Sequence, residues 1–296
     1  MRILLGFAAG GSGDALARIL STEVSRQLGQ QLLVENRPGA ATNIASEAAA
    51  RSAPDGYTLL LGGNFSHAVN PHLFGSKLPF DPLRDFAPVA RLTEGEGMVI
   101  VVPAKFPANT LPDFIAHARK EGPKLNFASS GVGSPGHIAG GYLNQVAGLT
   151  MTHVSYKGSA EAVRDLVGGV IQMTITSAAS AMPLIRDGRL KALAVTTPER
   201  NVFIPEVPGS AEAGLEAFDV AGWYGVWAPA GTPAPVLVRL NAAFAAALSD
   251  GPTRQRLEAA GLKAATPMAP EQFGRFVKSE LDRWGPIVKA SGAAIN

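Results

Sequence analysis

Residues 3–35 read ILLGFAAGGSGDALARILSTEVSRQLGQQLLVE. The apolar run Ile3–Phe7 has the length of a strand, and a glycine-rich turn separates it from apolar residues at helical spacing: Leu16, Ile19, Leu20, Val24 and Leu28. A second strand-like run, Gln31–Glu35, ends the stretch. Because a crossover of this kind joins parallel strands, the stretch predicts an α/β fold.

The alternation of strands and helices continues along the chain. A helix near Asn43–Arg51 and a strand at Tyr57–Leu61 complete a βαβαβ series with parallel strands, and a second series occupies about residues 111–196. Two extended segments, Met98–Val102 and Ala221–Ala228, are predicted to connect two lobes and to act as their hinge. Lobe 1 then comprises residues 1–102 with 222–296, lobe 2 comprises residues 103–221, and a ligand cleft lies between them.

Prolines mark a break in the first series. Pro71, Pro79 and Pro82 punctuate residues 64–85, which we expect to form an irregular excursion over the surface.

Composition excludes several classes of protein. With 46% hydrophobic and 17% charged residues in 296, the chain is globular rather than disordered. The absence of cysteine excludes disulfides, thiolate metal sites and cysteine nucleophiles. The net charge of +2 is scattered, so no nucleic-acid partner is expected. No apolar run approaches the roughly 20 residues of a membrane span, and Ile3–Phe7 follows Met1 too closely for a secretory signal.

Ligands in open α/β sheets bind beyond the carboxyl ends of the strands, so the turns that follow strands are candidate sites. The first candidate is Ala8–Asp14, where three glycines let the backbone approach an anion closely. A tight turn in which Ser12 or Asp14 caps the helix explains the same glycines without a ligand. The turn lacks the dinucleotide fingerprint, because Leu16 stands where that pattern needs glycine.

The second candidate turn is Ser129–His137. Ser134 is the predicted N-cap of a helix that begins at Pro135, and the backbone donors with the hydroxyls of Ser129 or Ser130 suit a carboxylate. Val132 occupies the position where a nucleophile elbow around Ser134 would need glycine, so no catalytic serine is predicted. His137 fits a structural hydrogen-bonder on the helix face better than a catalyst.

Two further turns, Tyr156–Ser159 and Thr176–Ser180, complete the candidates. Lys157 either attracts an anion or is simply solvated, and the sequence leaves both interpretations open. The histidines show no metal-binding spacing, so we predict no metal and no cofactor.

A family resemblance rests on eight strings that occur in a characteristic order: FAAGGSGD, VENRPGAATNIASEAAARSAPDGYTLLLG, FDPLRDFAPVA, LNFASSGVGSPGHIAG, HVSYKG, LVGGVIQM, RLKALAVTT and APAGTPAPV. The chain resembles the extracytoplasmic solute receptors of tripartite tricarboxylate transporters, also called Bug receptors. The resemblance implies a two-lobed periplasmic binding protein of type II that closes on a small carboxylate and delivers it to a membrane permease. Met1 is then an artificial or misassigned start of a mature domain.

In that family the carboxylate is held chiefly by backbone N–H groups, hydroxyls and ordered waters. The corresponding turns here are Ala8–Ser12 and Ser129–Ser134. The sequence departs from the family pattern at Ala8 and Ala9, where a proline pair is usual, and at Gly13, where threonine is common. A less rigid and less bulky first turn could admit a larger or aromatic acid.

The expected ligand is a dicarboxylate, an aromatic acid or an acidic amino acid, and the expected partner is a permease. We expect a monomer that is not an enzyme. Two alternatives are a hydrolase-type enzyme on a binding-protein fold and a ligand sensor for a signalling partner. The residues expected to bind ligand are Ala8, Ala9, Gly10, Gly11, Ser12, Asn64, Ser66, Ser129, Ser130, Gly131, Gly133, Ser134, His137, Tyr156, Lys157, Thr176 and Ser177.

Overall fold

The computed structural model describes residues 1–95 and 97–293. Within them the chain forms two compact units, residues 1–95 with 222–285 and residues 97–221 with 286–293. Each unit contains one five-stranded sheet with helices packed on it, which confirms the predicted α/β class.

The strands are β1 (Arg2–Leu5), β2 (Leu33–Asn36), β3 (Thr58–Gly63), β4 (Phe86–Arg91), β5 (Val99–Pro103), β6 (Asn126–Ser129), β7 (Thr152–Ser155), β8 (Met173–Thr176), β9 (Leu190–Val195) and β10 (Tyr224–Pro229). The α-helices are α1 (Ser12–Leu28), α2 (Asn43–Ala50), α3 (Asn70–Phe74), α4 (Leu111–Glu121), α5 (Pro135–Ala147), α6 (Ser159–Val167), α7 (Ala178–Arg186), α8 (Ala234–Ser249), α9 (Gly251–Ala259) and α10 (Pro270–Ala290).

The two helices that follow the glycine-rich turns start by different means. The hydroxyl of Ser134 accepts the N–H of His137 and Pro135 is the first residue of α5, which confirms the predicted start. Helix α1 instead has Gly11 as its N-cap, without a side-chain cap. Asp14, in its first turn, reaches back and accepts the N–H of Gly10.

The first sheet has the order β2-β1-β3-β10-β4. Strand β1 is parallel to β2 and β3, as the βαβαβ series predicts. Strand β10 is antiparallel to both β3 and β4. The segment Ala221–Ala228, predicted as a connector between lobes, begins where the chain returns to this unit, and Gly225–Ala228 within it is buried between two neighbouring strands.

The second sheet repeats this plan in the order β7-β6-β8-β5-β9. Strand β6 is parallel to β7 and β8, whereas β5 is antiparallel to β8 and β9. The segment Met98–Val102, the other predicted connector, begins close to where the chain enters this unit, and Val99–Val102 within it is buried with a partner strand on each side. In both sheets the antiparallel strand is the first one after the chain enters that unit, so no helical crossover fixes its direction.

The units differ from the predicted lobes at two places. Residues 97–102 belong to the second unit because β5 pairs with strands there. Residues 286–293 also belong to it, and the backbone of Ser291 packs against Gly141 of α5. Glu96 and residues 294–296, which the predicted lobe 1 includes, lie outside the described residues.

Helices cover both faces of the first sheet. Leu59 and Leu61 of β3 join an apolar cluster with residues of α1, α8 and α9, whereas Leu60 joins a second cluster with Trp227 and residues of α2 and α10. Burying each such leucine contributes about 1.5–3 kcal/mol to folding. The sheet interior is therefore apolar on both sides.

Two regions differ from their predictions. Residues 65–74 form a π-helical turn followed by α3, and Ser66–Asn70 is buried rather than part of a surface excursion. Helix α7 between β8 and β9 was not predicted, and Pro183 lies inside it. In the part of the chain that the structure describes, no helix combines the length and the apolar character needed to cross a bilayer.

Replacing Leu60 by alanine should destabilise the protein by about 2–5 kcal/mol, because it leaves a cavity between the first sheet and its helices. Leu33→Ala is the matched control, since the Leu33 side chain is 55% exposed and its loss should change stability by less than about 0.5 kcal/mol. Urea unfolding followed by tryptophan fluorescence measures both. Equal effects at the two positions would contradict the assignment of Leu60 to the core.

Candidate functional site

The first candidate turn lies between β1 and α1, and Ala8–Ser12 is exposed. Gly10 has φ of +86°, a conformation that favours glycine. The N–H groups of Ala8 and Ala9 have no hydrogen-bond partner among the described residues. The turn therefore presents backbone donors to an anion.

Asp14 anchors this turn from inside the first unit. Its buried carboxylate accepts from Arg18 Nε at 3.0 Å, from Asn36 Nδ2 at 3.0 Å and from the N–H of Gly10 at 3.0 Å. The hydrogen bond from Arg18 is the main cause that lowers the pKa of Asp14 to about 2, against the opposing effect of burial. The carboxylate is thus neutralised by Arg18 and holds the turn to β2.

Aromatic rings line the same turn. Tyr224, at the start of β10, places its hydroxyl 2.9 Å from Ser12 Oγ, and its ring meets Phe7 edge to face at 5.4 Å. A Cβ on Gly13 would lie 2.7 Å from the Phe7 ring, so a side chain at this position would have to displace that ring. No local pattern in the sequence points to Tyr224, because its proximity to Ser12 depends on the pairing of β10 with β3.

The turn after β2 also belongs to this edge of the sheet and was missed. Ala40, Ala41 and Thr42 all have positive φ, which is costly for residues with side chains. Thr42 packs directly against Gly6, which follows β1. Asn70 Nδ2 donates to the carbonyl of Ala41 at 2.7 Å, so a buried side chain holds this turn in place.

Asn64 and Ser66 follow β3 and are buried, at 5% and 1% exposure. The Ser66 hydroxyl accepts the N–H of Gly63 at 3.1 Å and lies 2.8 Å from Nδ1 of His67. His67 stacks on Trp227 with ring centroids 3.7 Å apart, and burial lowers its pKa to about 3. Asn64 and Ser66 therefore lie at the expected edge of the sheet, but they are buried beneath the protein surface.

The second candidate turn lies between β6 and α5. Gly131 has φ of +141° and Gly133 has φ of +74°, so both positions favour glycine. Within the described part of the chain, the N–H groups of Ser130 and Val132 have no partner, and both residues are exposed. This turn likewise presents backbone donors.

The side chains of Ser129 and His137 are buried and already bonded within the protein. Ser129 Oγ lies 2.7 Å from His153 Nε2 and 2.9 Å from the carbonyl of Gly131. Nδ1 of His137 accepts the N–H of Gly133 at 3.0 Å. The rings of His137 and His153 stack at 3.7 Å, and burial lowers the pKa of each, that of His153 to about 4.

The third and fourth turns follow β7 and β8. Tyr156 donates its hydroxyl to Asp165 at 2.9 Å, whereas Lys157 is exposed. Thr176 is buried and Ser177 is the N-cap of α7, where it accepts the N–H of Ser180. Among residues 1–95 and 97–293, no three His, Asp or Glu side chains are arranged to hold a metal ion.

The expected site residues therefore form two groups. In each unit the structure brings them to the edge of the sheet where its parallel strands end. Their common chemistry is that of N–H groups and hydroxyls, and Lys157 is the only lysine or arginine among them. An anion at either edge would meet dipoles rather than a cluster of cations.

Comparisons with known proteins decide the family. The family model described as "Tripartite tricarboxylate transporter family receptor" matches residues 16–293. The chain belongs to this receptor family. Protein BugT of Bordetella pertussis is 34% identical over 100% of this chain and 90% of its own. The resemblance to Bug receptors is thereby confirmed.

Solved structures agree with this family. Rpa4515 of R. palustris, solved with adipate, is 33% identical with a TM-score of 0.84, covering 99% of this chain and 97% of that one. MatC of Rhodopseudomonas palustris, with bound malate, is 34% identical with a TM-score of 0.81, covering 97% and 98%. The family is one of solute-binding receptors, and its members have this fold.

Gly131→Ala should destabilise the receptor by about 1–3 kcal/mol, because a residue with a side chain rarely adopts φ of +141°. Gly11→Ala is the matched control, since Gly11 has φ of −83° and an added Cβ would lie no closer than 3.6 Å to its neighbours. Urea unfolding compares the two variants. A loss at position 11 as large as that at 131 would contradict the described turn geometries.

The free energy of unfolding should fall as the pH drops from about 6.5 to 5. Burial lowers the pKa of His67, His137 and His153, so in this range the unfolded chain binds protons that the folded chain does not. Stability therefore rises with pH, by up to about 1.4 kcal/mol per pH unit for each such histidine. Urea unfolding at several pH values should show a shallower slope for His153→Gln, and an unchanged slope would contradict the burial of His153.

Proposed function

We propose that this receptor binds a small carboxylate and delivers it to the permease of a tripartite tricarboxylate transporter from the periplasm. The observation that carries the proposal is the pair of turns, 8–12 and 129–134, each with backbone N–H groups that no described residue accepts. Two relatives solved with dicarboxylates, adipate and malate, support the same ligand class.

Electrostatics favour N–H donors for this task. Removing a carboxylate from water costs several kcal/mol unless several donors replace its hydration shell, and charge-assisted hydrogen bonds from N–H groups do so. The negative charge of Asp14 repels a bound anion only weakly, because Arg18 forms an ion pair with it. The receptor can therefore hold an anion that it must later release, without a strong ion pair.

Each turn offers backbone N–H groups that no described residue accepts, and such donors suit one carboxylate group. Ala8 and Ala9 are small and exposed, so the first turn leaves room for acids with a bulky or aromatic body. Dicarboxylates, aromatic acids and acidic amino acids are all of the proposed class.

The test is a thermal-melting panel of adipate, malate, benzoate and aspartate, with neutral sugars as controls. At a hundredfold excess over Kd an acid should add about 2.7 kcal/mol, a rise of several degrees, whereas sugars should have no effect. A panel without any shift would contradict the proposal. Recovery of a binding acid in chemically altered form would instead favour the hydrolase alternative.

A pair of serine variants tests the second turn. Ser130 is exposed and its hydroxyl has no partner among the described residues, so Ser130→Ala should weaken binding of the acid that passes the melting panel by about two- to tenfold. Ser249→Ala is the control, because that hydroxyl bonds the carbonyl of Ala245 at the end of α8. Calorimetric titration measures both, and equal affinities for the two variants would argue against the second turn as a contact.

A further inference from the structure

Two histidines from different elements lie beneath the turn of residues 129–134, hereafter the lobe 2 turn. His137 projects from the first turn of α5 and His153 from β7, and their rings are nearly parallel, 9° apart. Each ring reaches a different part of the lobe 2 turn. The two rings therefore contact both each other and the backbone or side chains of the lobe 2 turn.

The bond to His137 fixes where its proton sits. A backbone N–H can only donate, so the contact from Gly133 N to His137 Nδ1 at 3.0 Å requires Nδ1 to be an acceptor. The proton of this imidazole is then on Nε2. Gly133, which has φ of +74°, is held in its left-handed conformation by this bond.

The contacts of Ser129 also have a single consistent direction. The carbonyl of Gly131 can only accept, so the Ser129 hydroxyl donates to it at 2.9 Å. Ser129 Oγ is then an acceptor for Nε2–H of His153 at 2.7 Å and for the N–H of Gly131 at 3.3 Å. A chain of donors thus runs from His153 through Ser129 to Gly131.

We propose that His137 and His153 are positioning residues that hold the lobe 2 turn in its ligand-binding conformation, with Ser129 as the link and not as a ligand contact. The inference rests on the proposed function for its ligand. It follows that the donors left to the ligand are those of Ser130 and Val132, because the N–H groups of Gly131 and Gly133 are used to hold the turn.

Neutral rings of His137 and His153 suit the positioning of the lobe 2 turn. Burial lowers the pKa of both rings, and the charge of His137 opposes protonation of His153. A proton on Nδ1 of His137 would break the hydrogen bond from Gly133, because two N–H donors would then face each other. Two neutral rings therefore fix the turn without adding a permanent positive charge that would slow release of an anion.

Reciprocal substitutions test the proposal, because asparagine and glutamine each imitate one nitrogen of histidine. Asparagine places an acceptor near the Nδ1 position, so His137→Asn should retain ligand affinity better than His137→Gln. Glutamine places a donor near the Nε2 position, so His153→Gln should bind better than His153→Asn. We expect a difference of about tenfold in Kd within each pair, measured by calorimetry with the acid that passes the melting panel.

All four variants lose the stacked pair of rings, so a merely structural role predicts no reciprocal preference. Equal affinities within both pairs, or the same amide preferred at both positions, would overturn the proposal. Circular dichroism confirms that each variant is folded before its affinity is compared.

A second measurement needs no ligand. Amide hydrogen exchange should be faster at Gly133 in His137→Gln than in His137→Asn, and faster at Gly131 in His153→Asn than in His153→Gln. In ¹⁵N-histidine spectra of the wild type, both rings should be neutral with the proton on Nε2, and a proton on Nδ1 of His137 would overturn the proposal.

The two arms separate the failure of this inference from that of the proposed function. If the variants show the reciprocal exchange pattern but the wild type binds no acid, the ligand assignment is wrong and the positioning role of the histidines still holds. Binding of an acid with no reciprocal pattern in either arm would sink the positioning role and leave the ligand assignment intact. The reciprocal pattern in exchange with unchanged affinities would show that the lobe 2 turn does not carry the ligand.

Discussion

The constraint on which the rest of the structure depends is the covering of the sheets by helices. Leu59 and Leu61 of β3 face one set of helices and Leu60 faces another, so the first sheet has no polar face on which to place a site. The polar groups of the candidate turns lie at the ends of the strands, where the backbone leaves the ladder with unpaired N–H groups. The carboxyl-end turns are where chemistry can be built.

Each unit then stabilises its turn by a different device. The first turn is held by a charged group, the Asp14 carboxylate, which is bonded to Arg18 and accepts the N–H of Gly10. The turn after β6 is held by the neutral rings of His137 and His153. In both turns the polar side chains are hydrogen-bonded inside the protein, and backbone N–H groups remain at the surface. This arrangement suits a receptor that binds an anion and releases it.

Each difference between the sequence predictions and the structure has a physical cause. The sequence does not predict that Met98–Val102 and Ala221–Ala228 pair within the two sheets, because nothing local distinguishes an extended connector from a strand that pairs antiparallel with remote partners. The sequence does not predict helix α7, because Pro183 interrupts its helical pattern. Asn64 and Ser66 stand at the predicted edge, but their burial follows from the packing of residues 65–74, which periodicity does not reveal.

The sequence by itself determined the α/β class, the parallel strands β1–β3, the helix start at Ser134 and Pro135, and the turns that carry the candidate site. These follow from local periods, caps and glycines, whose effects reach only a few residues along the chain. Only the tertiary structure decided that Tyr224 meets Ser12, that Thr42 packs on Gly6 and that His153 meets Ser129. Those contacts join residues far apart in sequence, and the pairing and packing of whole strands and helices bring them together.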